Sequence, residues 1–332
     1  MKITIAERLR PFSHLPGASC VIPWSSYKLQ AFPAMLIFEN LRTFEKHEVP
    51  LVPLGWKGPV KEFTVELDLE KGVVWVYGKT VDGHRRLCIE MQEDGIAIDK
   101  RVVVSAARLV THPIERLSLG MSKKLDWELV ARRQEMAEIL PVWFRLGQMV
   151  PSGGTVKVGT ASLLQECEKL DVTETYLKLF LTGFEGILCP RLSDTSYQGI
   201  VPEGKFSESP LILLTEGMKY IRALFFKETD QSWEFLPCLA PEFHAGRVVE
   251  LTTKAGDKID FEWSKKSLQK VVIHAESSRE IFLSIPKPFN FCRLRTSPGD
   301  KGDRGEKGSR HFFEKSLRLL SGQKLFLDRF EK

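Results

Sequence analysis

Residues 60–106, VKEFTVELDLEKGVVWVYGKTVDGHRRLCIEMQEDGIAIDKRVVVSA, decide the fold of the first third of the chain. Apolar side chains alternate with polar ones from Phe63 to Leu69, which is the pattern of a strand with one buried face. Further β-branched and aromatic segments follow, and they are separated by turns at Gly72, Gly83 and Gly95. Four strands joined by short turns predict an antiparallel meander. Together with the proline-rich segment before it, the meander predicts a β-sandwich domain over residues 1–112.

In the middle of the chain the spacing of apolar residues changes from that of a strand to that of a helix. Apolar residues fall on one helical stripe and predict a helix over residues 123–140. Pro141 either ends that helix or opens the next one at its first position. A second helix is predicted over 210–226, where Gly217 lies in the interior at a cost of about 1 kcal/mol against alanine. A glycine retained there indicates a close neighbour. These segments predict a helical region over residues 113–232.

The last third returns to strands. Residues 235–263, FLPCLAPEFHAGRVVELTTKAGDKIDFEW, contain alternating segments separated by a glycine turn, and they predict a C-terminal β domain over 233–296. Glycine recurs every third residue from Gly299 to Gly308, which is typical of a flexible linker over 297–310. Residues 311–332 have apolar side chains at helix-like spacing and predict an amphipathic tail that docks either on the body of the protein or on a protein partner.

These segments predict a multi-part α+β fold. It consists of an N-terminal antiparallel β-sandwich, a short central helical region and C-terminal sandwich-like strands.

Composition excludes several classes of protein. The 332 residues include 48 basic and 43 acidic ones, a net charge of +5, and because both signs are interspersed no nucleic-acid partner is predicted. No apolar run reaches the ~20 residues of a membrane span, so no membrane partner is predicted, and the first residues lack a secretory apolar segment. The six cysteines are widely spaced, which predicts reduced thiols, no metal site and a cytoplasmic location. No motif indicates a cofactor.

Residues 210–263 resemble part of a known enzyme family. The family is that of the (α/α)6-barrel glycoside hydrolases, the fucosidase-type family especially, in which the last barrel helix leads into a strand similar to Phe235–Leu239. That strand is followed by a G-x-V motif, here Gly246–Val248, and then by an alternating strand that ends in Trp, here Trp263. The resemblance implies a glycosidase ancestry with a much shortened catalytic barrel. Residues 118–127 and 140–148 also resemble uncharacterised proteins of chlamydia-like bacteria.

The resemblance directs attention to acidic and aromatic residues. Glycosidases place two carboxyl groups ~5 Å apart for retention of configuration or ~6.5–9.5 Å apart for inversion. The candidate acids are Glu128, Glu135, Glu138 and Glu216. The alternative interpretation of the first three is a solvated helix face with ion pairs. The candidates for stacking on a sugar ring are Trp56, Trp127 and Trp233, and the alternative for each is packing in the core.

Three functions remain open from the sequence. The first is a non-catalytic carbohydrate-binding or scaffold protein derived from a glycoside hydrolase. The second is an active glycosidase with a reduced helical site. The third is a protein-interaction module that acts through residues 311–332.

Overall fold

The computed structural model describes residues 2–121, 123–154, 159–168, 172–192, 209–286, 288–296 and 308–332. Within these ranges the chain forms mostly antiparallel sheets with a small number of short helices. The predicted α+β class with sandwich-like sheets is confirmed.

The first ten strands form two antiparallel sheets. The strands are β1 (Phe12–Ser13), β2 (Ala18–Val21), β3 (Tyr27–Ala31), β4 (Met35–Asn40), β5 (Lys46–Pro50), β6 (Lys61–Asp68), β7 (Val73–Thr80), β8 (Gly83–Gln92), β9 (Gly95–Ile98) and β10 (Arg101–Ser105). One sheet has the order β1-β6-β7-β8-β9-β10 and the other β2-β3-β4-β5. The predicted meander is therefore present as β6 to β9, and its extension is β10.

The central elements are short. They are β11 (Arg116–Ser118), α1 (Trp127–Arg133), α2 (Met136–Gly147), a 3-10 helix (Gly159–Glu168), α3 (Val172–Gly183), β12 (Phe184–Glu185), β13 (Cys189–Pro190) and α4 (Ile212–Phe225). A second 3-10 helix spans Val52–Leu54 in the loop before β6. The predicted helix over 210–226 is confirmed as α4.

The predicted single helix over 123–140 is wrong. The segment forms two helices, α1, whose N-cap is Asp126, and α2. Gln134 lies between them and has a left-handed backbone conformation with φ 57°. The side chain of Asp126 accepts a hydrogen bond from the backbone N–H of Leu129 at 3.3 Å. Pro141 lies inside α2, neither at the end of a helix nor at the first position of one.

The C-terminal strands form a seven-stranded and a four-stranded sheet. The strands are β14 (Phe226–Glu228), β15 (Ser232–Phe235), β16 (Ala245–Thr252), β17 (Lys258–Ser264), β18 (Ser267–His274), β19 (Arg279–Ser284), β20 (Phe291–Arg295), β21 (Ser309–Phe312), β22 (Leu317–Leu319) and β23 (Lys324–Glu331). The larger sheet has the order β11-β16-β17-β18-β23-β20-β21, and the smaller β14-β15-β19-β22.

The chain divides into two compact units, each assembled from separate segments. One unit contains residues 8–112 and 123–218, so α1, α2 and α3 belong with the N-terminal sheets. The other contains residues 1–7, 113–122 and 219–332 and holds the two C-terminal sheets. This grouping differs from the five consecutive segments predicted from the sequence.

The helix-like tail predicted over residues 311–332 is wrong, because this segment forms strands in the sheets of the second unit. Of the two docking alternatives, these pairings agree with docking on the body of the protein. The strand β23 pairs with β18 on one side and with β20 on the other, so it lies in the interior of the larger sheet. Leu325, Phe326 and Leu327 are all buried. The segment is therefore a part of the sheets and not a free tail. Most of the predicted linker, residues 297–307, lies outside the described residues.

Asp328 joins β23 to β20 through two arginines. Its carboxylate accepts hydrogen bonds from Arg293 Nε at 2.7 Å and from Arg295 Nη2 at 2.6 Å. Burial alone would raise the pKa of Asp328, but the hydrogen bonds and charges of Arg293 and Arg295 outweigh burial and lower the pKa. The group therefore stabilises the fold above the ordinary carboxyl pKa, and this stabilisation is lost as the pH falls through the lowered value.

Asp328→Asn is expected to lower the free energy of unfolding at neutral pH by about 1.5–3 kcal/mol, the range for hydrogen bonds to a charged group. The difference between the variant and the unchanged protein should shrink as the pH is lowered below the ordinary carboxyl range. Urea unfolding over a series of pH values measures both effects. A difference that stays constant into strong acid would contradict the assignment.

Candidate ligand-binding cleft

Two of the predicted acids, Glu135 and Glu138, share one lysine. Lys123 Nζ lies 3.1 Å from Glu135 and 3.9 Å from Glu138. The Glu138 side chain is fully buried and accepts two hydrogen bonds from Arg133, at 2.9 Å each. A carboxylate enclosed in this way stabilises the junction of α1 and α2 and does not face a substrate. These contacts match the ion-pair interpretation, although Glu138 is buried and not solvated.

The other two acids lie elsewhere in the same unit. Glu128 is half-buried on α1 and accepts a hydrogen bond from Ser13 Oγ at 2.6 Å, which ties α1 to β1. Glu216 is half-buried on α4. The structure brings Glu135 and Glu138 together around a cation, which is not the arrangement of two carboxyl groups across a scissile bond.

The three tryptophans predicted to stack on a sugar are buried. Trp56, Trp127 and Trp233 are 1%, 3% and 1% exposed. Trp56 packs edge-on against Phe63 and Trp127 against Phe180, with ring centroids 6.4 Å and 6.0 Å apart. Trp233 packs against Phe226. No face of these rings is open to a ligand, so the core alternative describes their placement.

A cleft lies in the second unit, at the edge of the seven-stranded sheet. Its cavity volume is about 300 Å³, and its charged lining residues are Glu7, Arg247 and Glu262. Ser118, Ser264 and Gln269 add hydroxyl and amide groups. Such a volume is at the lower end of the range for small-ligand sites.

Strand register places these groups in one row. Ser118 on β11 is opposite Arg247 on β16, and Arg247 is opposite Glu262 on β17. Residues directly opposite on neighbouring strands share a face of the sheet, so the three side chains project from the same side. Lys270 on β18 is opposite Glu262 and continues the row.

Both cations of this row, Arg247 and Lys270, pair with the carboxylate of Glu262. Glu262 forms an ion pair with Arg247, whose Nε lies 3.4 Å from Glu262 Oε2. It forms a second, shorter ion pair with Lys270 Nζ. Arg247 also donates from Nη1 to the backbone oxygen of Thr4 at 3.2 Å. Glu262 therefore lies between two cations, and Arg247 fastens the N-terminal segment beside the cleft.

Glu7 comes to the cleft from the N-terminal segment. Its Oε1 accepts a hydrogen bond from Ser118 Oγ at 2.9 Å. Ile3, four residues earlier, is buried against Val272 and Phe326 and fixes the path of this segment. The cleft thus depends on the first residues of the chain packing on the sheet.

Gly246 allows an aromatic ring to form one wall. A Cβ at position 246 would lie 2.6 Å from the backbone oxygen of Ser118 and would also collide with the ring of Trp263. Trp263 is 2% exposed, donates from Nε1 to the backbone oxygen of Phe243 at 2.8 Å, and stacks on Phe225. Its ring is therefore rigid, and Gly246 is required for the close approach.

Sequence reasoning did not find this cleft. Gly246, Arg247 and Trp263 are part of the motif that carries the resemblance, but nothing local indicated that they border a cavity. Glu7 and Ser118 are more than one hundred residues from them in sequence. The pairing of β11 with β16 brings Ser118 to the cleft, and the packing of the N-terminal segment on the sheet brings Glu7.

No protein-family model matches the chain, and no curated protein matches it. Within the described residues no cluster of three or more His, Cys, Asp or Glu side chains is arranged to hold a metal ion. Nor does any helix in the described ranges have the length and apolar character needed to cross a bilayer.

Proposed function

We propose that the protein is a non-catalytic carbohydrate-binding protein and that the cleft bordered by Glu7, Arg247 and Glu262 is its binding site. The observation that carries the proposal is the cleft itself, about 300 Å³ in volume. Carboxylate, guanidinium, amide and hydroxyl groups converge there, and together they offer both donors and acceptors to a ligand with many hydroxyl groups. The resemblance to glycoside hydrolases points to the same class of ligand.

The absence of catalysis is supported by the placement of the predicted acids. Glu138 is enclosed by Arg133, Glu135 is paired with Lys123, and Glu128 is bonded to Ser13. An active glycosidase is the second candidate, and the cleft gives it one specific observation, since both Glu7 and Glu262 line it. Glu262, however, is paired with both Arg247 and Lys270, so it is not a free carboxyl group that could act across a scissile bond from Glu7.

The test is a binding titration with soluble oligosaccharides, in which release of reducing ends is followed in the same samples. Binding without release is expected. Arg247→Met should weaken binding about tenfold or more, because it removes a charged donor from the cleft. Arg318→Met is the matched control, since Arg318 is an exposed arginine on β22 of the same unit.

Thermal unfolding of both variants verifies that loss of binding does not reflect loss of folding. Absence of binding to every oligosaccharide, or equal weakening by Arg247→Met and Arg318→Met, would refute the proposal. Release of reducing ends that disappears in Glu7→Gln would replace it with the glycosidase.

A further inference from the structure

The charged side chains at the cleft balance one another within the protein. The carboxylates of Glu7 and Glu262 line it together with the guanidinium of Arg247. Lys270 is opposite Glu262 on the next strand and brings the second cation. Two formal negative charges therefore lie beside two positive ones, and the net charge of the four groups is zero.

Direct contacts hold most of this balance in place. Glu262 Oε2 lies 3.4 Å from Arg247 Nε, and Oε1 is paired with Lys270 Nζ, so each oxygen of the carboxylate has its own cation. Lys265 and Lys266, in the turn between β17 and β18, are exposed and lie outside the lining. Solvent and salt screen their charges, so they change the balance inside the cleft little.

A charged ligand finds no free counter-charge in this arrangement. Its attraction to the groups of opposite sign is offset by repulsion from the groups of its own sign, because the four charges sum to zero. The ligand also loses part of its hydration on entry. It could gain a partner only by breaking the pairs of Glu262 with Arg247 and Lys270, which would strand a charge of the protein. The balance therefore opposes ligand charges of both signs.

The same groups keep hydrogen bonds for an uncharged ligand. Arg247 uses Nε toward Glu262 and Nη1 toward the backbone oxygen of Thr4, and its Nη2 has no hydrogen bond among the described residues. Each carboxylate oxygen of Glu262 can accept more than one hydrogen bond. The amide nitrogen of Gln269 donates to backbone oxygens of the adjacent turn, which leaves Oε1 as an acceptor. Hydrogen bonds from such charged groups to a neutral hydroxyl are strong.

We propose that the cleft binds an uncharged sugar and rejects both acidic sugars and amino sugars with a free amine. The inference rests on the proposed carbohydrate function and names the class of sugar. Arg247 and Glu262 lie side by side and offer a donor and an acceptor to two adjacent hydroxyl groups of one ring. Glu262 and Lys270 set the selectivity, because each contributes one charge to the balance.

Three trimers with the same β-1,4-linked backbone test the inference. The glucose trimer is uncharged, the glucosamine trimer carries an ammonium group at C2 of each ring, and the glucuronic acid trimer carries a carboxylate at C6. Isothermal titration at mildly acid pH keeps the amines protonated and the carboxylates ionised. The unchanged protein should bind the glucose trimer about tenfold or more tightly than either charged trimer, since a charge that enters without a partner costs affinity.

Two single changes should shift this preference in opposite directions. Lys270→Met leaves one negative charge in excess, so the glucosamine trimer should gain about tenfold in affinity relative to the glucose trimer. Glu262→Gln keeps the shape of the side chain and leaves one positive charge in excess, so the glucuronic acid trimer should gain instead. Partial unfolding would weaken the binding of all three trimers alike and cannot produce shifts of opposite sign.

Matched controls remove the same charges elsewhere. Lys315→Met and Glu331→Gln change exposed positions of the same unit that lie outside the lining of the cleft. Both variants should prefer the glucose trimer as the unchanged protein does.

The outcomes separate the two proposals. If the unchanged protein binds a charged trimer as tightly as the glucose trimer, the inference is overturned and carbohydrate binding stands. The same conclusion follows if Lys270→Met and Glu262→Gln leave the preference unaltered or shift it in the same direction. If none of the three trimers binds, the proposed function fails, and the inference fails with it.

Discussion

Replacing Arg279 with alanine is expected to lower the free energy of unfolding by about 3–5 kcal/mol, because the change leaves a buried charge without its partner. That charge is Asp257, whose side chain is fully buried in the turn between β16 and β17. Arg279 donates to both of its oxygens, to Oδ1 at 3.3 Å and to Oδ2 at a shorter distance.

The remaining partners of Asp257 are neutral. Thr253 Oγ1 donates to Oδ2 at 2.9 Å, and the backbone N–H of Glu276 donates to Oδ1 at 2.9 Å. These bonds hold the two turns together but do not balance the charge. Removing only the arginine should therefore destabilise the unit far more than the loss of an exposed ion pair, which contributes about 0–1 kcal/mol.

Urea unfolding of Arg279→Ala measures the effect, with Arg318→Ala as the control at an exposed position of the same unit. The double variant Asp257→Asn with Arg279→Ala should be more stable than Arg279→Ala, since it removes the stranded charge. Equal stabilities for Arg279→Ala and Arg318→Ala would show that Asp257 is not stabilised by this pair.

The sequence predicts the meander well and the last strands poorly, and the reason is the type of residue on the second face of each strand. In β6 the second face carries polar residues, two of which, Thr64 and Asp68, are themselves buried, so period two is visible in the sequence. In β23 the consecutive residues Leu325, Phe326 and Leu327 are all buried, because the strand is interior and Phe326 packs under Ile3 on the other face. Alternation disappears in such a strand, so it does not oppose the helical tail that the spacing of Phe312, Phe313, Leu317 and Leu320 predicts.

Loop position is a poor guide to exposure, as Trp56 shows. It lies in a glycine- and proline-rich loop before β6, which suggested a ring presented to a ligand. The ring instead turns inward against Phe63. A large apolar side chain gains about 1.5–3 kcal/mol by burial, so a loop that can fold over it will do so unless a ligand site requires otherwise.

The candidate cleft could not be predicted for a different reason. Its carboxylates, Glu7 and Glu262, are separated by most of the chain, and they meet because β11 pairs with β16 while the first residues pack on the sheet. Neither event leaves a local pattern. Register between distant strands has to be known before a row such as Ser118, Arg247 and Glu262 can be recognised.

The interior glycine of α4 was predicted to have a close neighbour, and this prediction is confirmed. A Cβ at Gly217 would lie 2.7 Å from Cε2 and Nε1 of Trp143. Trp143 is fully buried, contacts Phe184 edge-on with ring centroids 4.6 Å apart, and donates from Nε1 to the backbone oxygen of Leu213 at 3.0 Å. The ring is therefore held on several sides and cannot move away from an added methyl group.

Trp143→Ala is expected to lower the free energy of unfolding by about 3–5 kcal/mol, because it leaves a cavity beside Tyr176 and Phe184. Gly217→Ala alone should lower it by about 1–3 kcal/mol through overpacking against the ring. Urea unfolding of the two single variants measures both values.

The combination of the two changes tests whether the tryptophan is the cause. Alanine is preferred to glycine in a helix by about 1 kcal/mol, and this preference is hidden while the ring occupies the space. In the Trp143→Ala background, Gly217→Ala should therefore raise the free energy of unfolding, which reverses its sign. A double-mutant cycle in which Gly217→Ala has the same sign in both backgrounds would show that contacts other than Trp143 require the glycine.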